Sequence, residues 1–139
     1  MLQTVHGLAV GVWLGCVLTE ALFERALLGK GRDYETVLAA LHTRVDLLVE
    51  LPAIALVLAT GLPLVLAAAL TPALAVKLGF AGLAIAANLY CVQLVFARDA
   101  AAKAGNWPRF ETLDHRQHKA GAVVLLAILA AAGIGVFLT

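Results

Sequence analysis

HTRVDLLVELPAIALVLATGL, residues 42–62, decides how this chain is read. From Val45 onward the stretch is apolar enough to lie in lipid, yet His42, Asp46 and Glu50 recur at every fourth residue. Four-residue steps return to one face of a helix. A segment that is apolar on most sides and acidic along one stripe reads as a membrane helix turning its charges away from lipid.

The rest of the chain supports that frame. It has 139 residues, 63% of them hydrophobic, and a mean hydropathy of +0.96. That is too apolar for a soluble domain of this size. Four apolar segments, about 2–23, 45–62, 73–97 and 120–138, approach the ~20 residues needed to cross the hydrocarbon layer. Backbone groups in lipid must satisfy one another, so the segments are expected to be helices. The expectation is all-α: an integral membrane four-helix bundle forming one domain over residues 1–139. The N-terminal segment lacks a basic region before it, and Trp13-Leu14-Gly15-Cys16 lacks the leucine of a lipoprotein cleavage site. It is therefore read as a permanent span. Cys16 and Cys91 read as small buried side chains. No basic stripe interleaved with aromatics suggests nucleic acid; the expected surroundings are the lipid bilayer.

Charge sets the expected orientation. The connection after the first span carries Arg25, Lys30, Arg32 and Arg44, and the one after the third carries Arg98, Lys103, Arg109, Arg116 and Lys119. The middle connection and both termini carry no charged side chain. Both basic connections are expected on the cytoplasmic side of a bacterial-type inner membrane, with the termini outside.

An internal duplication is visible at an offset of 76 residues: Gly29 falls on Gly105, Tyr34-Glu35-Thr36-Val37 on Phe110-Glu111-Thr112-Leu113, and His42 on His118. Two tandem helix hairpins would be related by a pseudo-two-fold axis along the membrane normal. Gly29 and Gly105 read as helix C-caps, Asp33 as an N-cap, and Pro108 as a first-turn proline. Tyr34 and Phe110 are expected at the headgroup level. The axis would set His42 and His118 at one depth. Pro52 is expected to disturb its helix one turn beyond Glu50.

Glu20, Glu24, His42, Asp46, Glu50, His115 and His118 therefore gather at one end of the bundle, with Asp114 at the same level. Ionisable groups near the bilayer centre cost at least ~2.5–3.5 kcal/mol each. Grouped acids and imidazoles offset that cost by holding a cation, as in carboxylate-bridged bundle sites. The bland alternative pairs Glu20 or Glu24 with Arg25, Arg44 or Arg116 at the interface. His6 lies near the other membrane face and reads as an interfacial histidine, or as part of a second site with Lys77. Trp13 reads as a packing residue. Asn88 and Tyr90 read as either interior or supporting groups. The small residues of the third span would suit a partner helix or a second copy of the chain in a homo-oligomer.

His6 followed by Val12-Trp13-Leu14-Gly15 resembles the first span of two families of small bacterial membrane proteins. These are the copper resistance protein D family and the HemJ-type protoporphyrinogen oxidase family, which binds haem. The resemblance implies metal or haem handling in the inner membrane; it does not account for Glu20, Asp46 and Glu50. The leading expectation is thus a non-haem carboxylate and histidine site, holding iron, in an oxidoreductase or electron-transfer protein with quinone or another lipid-soluble substrate. Copper or zinc are the alternative ions. A b-type haem with His42 and His118 as axial ligands, or a copper carrier subunit, are the alternative functions. Protonation of the acids, pointing to proton transfer, is the other way to remove their charge.

Overall fold

The computed structural model describes residues 1–138. Four helices, each long and apolar enough to cross a membrane, make up the protein: α1 Leu2–Leu27, α2 Arg32–Ala67, α3 Pro72–Lys103 and α4 Trp107–Phe137. No strand occurs among the described residues. Exposed leucines and valines such as Leu8, Leu22, Leu48, Leu62 and Leu126 cover the outside of the bundle, as expected where lipid is the solvent.

The helices overrun the apolar segments at the basic end, and their stops are chemical. Gly29 and Gly105 take positive φ angles of 76° and 68° just beyond the last turns of α1 and α3. That left-handed backbone closes a helix and suits glycine. The connections that follow are short, so most of the basic residues sit on helical turns extending past the lipid. α2 starts at Arg32 with Gly31 as its cap. Asp33 is therefore in the first turn, where its charge favours the helix N-terminus, and is not the cap expected. α4 starts at Trp107 with the Asn106 side chain accepting from the Arg109 N–H. Pro108 lies in its first turn, where no N–H is missed.

Each helix packs on its sequence neighbours, α3 with α4 and α1 with α2 along much of their lengths, and the α1–α4 seam closes the ring most loosely. One apolar core surrounds Trp13 with Ile54, Ala84, Val124 and Ile128. A second surrounds Phe110 with Ala39, Leu94 and Leu113 near the basic end. Phe110 is only 1% exposed, set edge-on to Trp107 and beneath the Arg98 guanidinium. It is thus a core residue and not the interfacial aromatic its repeat position suggests, whereas Tyr34 is exposed.

α2 is not uniform. Residues Asp46–Glu50 form one π-helical turn, in which the Leu51 N–H reaches back to the Asp46 carbonyl. Pro52 explains its place, since the ring lacks an N–H and collides with the carbonyl four residues earlier. Widening the preceding turn relieves the collision. An α-helix rotates about 40° onward with each four-residue step. A turn holding more residues cancels that advance, so the π turn keeps Glu50 in line with Asp46.

Candidate functional site

The two cores leave a polar layer between them. Glu20 and Glu24 enter it from α1, His42, Asp46 and Glu50 from α2, Asn88 and Arg98 from α3, and Asp114 and Gln117 from α4; all are buried. All of them but Arg98 and Asp114 line a cavity of about 210 Å³, with Cys91 and His118.

Arg98 organises one half of the layer. It is fully buried, donates to Asp114 Oδ1 at 2.7 Å and Glu24 Oε1 at 2.8 Å, and lies 5.5 Å over the Phe110 ring. Sequence reasoning placed Arg98 among the loop charges and named Arg25, Arg44 and Arg116 as partners for Glu20 and Glu24. None of those three pairs with either glutamate among the described residues. A signal for Arg98 was present: Ala84, Asn88, Val92, Val95, Arg98 and Ala102 recur every three or four residues along the buried face of α3.

His42 joins the halves. Its Nδ1 lies 3.2 Å from Glu24 Oε1, and its Nε2 lies 3.0 Å from Glu20 Oε2. Gln117 Nε2 sits 3.1 Å from Nδ1.

The other half has no basic residue. No donor reaches either oxygen of Asp46, which is 1% exposed, or Glu20 Oε1. Asp46 instead faces Glu20, each offering an oxygen within 4.8 Å of the other, and Glu50 lines the same cavity. Acceptors facing acceptors in a buried layer require a proton or a cation between them. Glu20, His42 and Asp46 can each offer one ligand atom with all three inside 4.8 Å of one another. Glu50 Oε2 accepts from Asn88 Nδ2 at 3.0 Å, and Asn88 Oδ1 accepts from Trp13 Nε1 at 2.9 Å. Trp13 therefore packs the core and also anchors the far end of the acid chain.

No protein-family model, curated protein or solved structure matches this chain.

The remaining expected site residues are placed as follows. Glu24, Asp114 and His118 form a second close group, but the Arg98 guanidinium already bridges Glu24 and Asp114. His118 stands at the rim, its side chain 47% exposed, with Nδ1 on the Asp114 carbonyl at 2.9 Å and Nε2 3.9 Å from Glu24 Oε2. The two repeat-related histidines thus flank one carboxylate, His42 inside and His118 at the edge. His115 points outward and is exposed, away from the site. Asn88 lines the interior, whereas Tyr90 is exposed. His6 bonds Thr60 Oγ1 at 2.9 Å, and Lys77 packs on Gly135. Cys16 and Cys91 are both free thiols.

Proposed function

We propose that this chain is a membrane metalloprotein holding one first-row metal ion, iron by preference, on Glu20, His42 Nε2 and Asp46, with Glu50 beside it. The role is redox, as an oxidoreductase or electron carrier at the cytoplasmic side of an inner membrane. The carrying observation is Asp46: buried, without a donor on either oxygen, and facing the Glu20 carboxyl and the His42 imidazole.

The chemistry of the surroundings supports this reading. Glu24, Arg98 and Gln117 crowd Nδ1 and fix the ring of His42, so that Nε2 faces the Glu20 and Asp46 oxygens, where an ion would sit. Arg98 bridges Glu24 and Asp114 but carries only one positive charge against their two. Glu20, Asp46 and Glu50 have no lysine or arginine partner among the described residues, and a cation on hard oxygen ligands with one imidazole lowers the charge they leave. Iron fits because both donor types suit it and it changes charge by a single electron.

A haem between His42 and His118 is less well supported. The cavity of about 210 Å³ is below the ~300 Å³ at which drug-sized ligands begin to fit. A carrier role is also weaker, because the apolar layer around Trp13, Val57 and Ile128 separates the acids from His6 and Thr60 near the other face.

The test is element analysis of protein purified in detergent without chelators. One equivalent of iron per chain is expected, lost in Asp46→Asn and in Glu20→Gln while circular dichroism shows both folded. Intact wild-type protein free of any transition metal would reject the proposal.

A further inference from the structure

We infer that the site is served from within the bilayer, by an amphiphile whose hydroxyl-bearing single-ring head enters between α1 and α4 while its tail stays in lipid. The inference rests on the metal reading for what the head approaches; the route and the head's chemistry rest on the cavity.

The cavity has two unlike walls. The inner wall is the acid layer, and the outer wall includes Ala21 of α1 with Gly121 and Ala122 of α4. Ala21 and Ala122 line the cavity and are also exposed on the outside of the bundle. The wall there is a slot, at the seam where the ring of helices is least tightly closed. A Cβ added at Gly121 would meet no atom within 4 Å, so the slot is open space and not packed side chains. Ala21, Gly121 and Ala122 lie inside the apolar segments 2–23 and 120–138, at their ends nearest the acids, so the slot opens toward lipid at that level.

Size limits the occupant. A cavity of about 150 Å³ accepts benzene, and this one measures about 210 Å³. One substituted ring fits, and a chain attached to it must remain in the slot and the lipid beyond.

Polarity selects the head. Glu24 Oε2 is buried with no hydrogen-bond partner, and Glu24 lines both the cavity and an adjoining depression that leads out past His118. His118 Nδ1 is bound to the Asp114 carbonyl, and its Nε2 stands 3.9 Å from Glu24 Oε2, beyond hydrogen-bonding distance. The free Glu24 oxygen calls for a donor. A phenol or hydroquinone head supplies an O–H there, and a head bearing carbonyls alone does not.

The test uses protein in lipid vesicles with Trp107→Phe, so that Trp13 is the remaining tryptophan. Trp13 is joined to Glu50 through Asn88 and reports on the site. The probe is 3-decyl-5-nitrophenol at neutral pH, an absorber that quenches tryptophan and whose hydroxyl is out of reach of the nitro group. Saturable quenching is expected, with half-saturation raised at least about tenfold by Gly121→Leu and by converting the phenol to its methyl ether. Ala122→Leu replaces Gly121→Leu if the latter does not fold. Non-saturable quenching, an unchanged curve in the filled-slot variant, or equal potency of tail-less 3-nitrophenol would overturn the inference. Metal content is measured on the same samples. Metal retained without saturable quenching overturns the entry route alone, whereas saturable quenching in metal-free protein upholds the route and rejects the metal site.

Discussion

Replacing Arg98 with methionine removes the guanidinium buried among the acids while filling most of its volume. Donors at 2.7 and 2.8 Å vanish from Asp114 and Glu24, both of which stay buried. Removing one partner of a buried ion pair costs ~3–5 kcal/mol, because the other charge is left uncompensated. The lost cation–π contact with Phe110, at 5.5 Å, adds ~0.5–2 kcal/mol. Arg98→Met is thus expected to destabilise the fold by about 3.5–7 kcal/mol, read from denaturant unfolding in mixed micelles by circular dichroism. Adding Glu24→Gln and Asp114→Asn to the same protein should restore most of the loss, since neutral amides leave no stranded charge. The single variant should also take up a second metal equivalent, because Glu24, Asp114 and His118 lose the guanidinium that bridges two of them. If Arg98→Met unfolds within about 1 kcal/mol of its parent, as loss of a surface pair would allow, the ion-pair account of this layer is wrong.

Glu24→Gln should weaken metal binding about 10–100-fold without abolishing it, because it unsettles the orientation of His42 and spares the ligands; competition with a chelator of known affinity measures this. His115→Ala should leave metal content and stability unchanged, given its outward place on α4, and a loss of metal would mean the histidine turns inward. Trp13→Phe strips the donor from the buried Asn88 Oδ1 and should cost ~1–3 kcal/mol, with the same unfolding assay as the check. Gly29→Ala should cost about 1–2 kcal/mol, since alanine resists the positive φ that closes α1.

The sequence carried the membrane architecture, because hydrophobic length and the position of charge act locally and need no partner to be read. It also gave the acid stripe of α2 and the glycines that close α1 and α3. Pairing was not legible in it. Arg98 looked like one more basic residue at a helix end, and only the packing of α3 against its neighbours turns its guanidinium to Glu24 and Asp114. Likewise Tyr34 and Phe110 occupy matching repeat positions, yet one faces outward and the other fills a core. The rotation of each helix about its own axis made those choices. That rotation follows from how four side-chain surfaces interlock, a property of the bundle that no single segment contains.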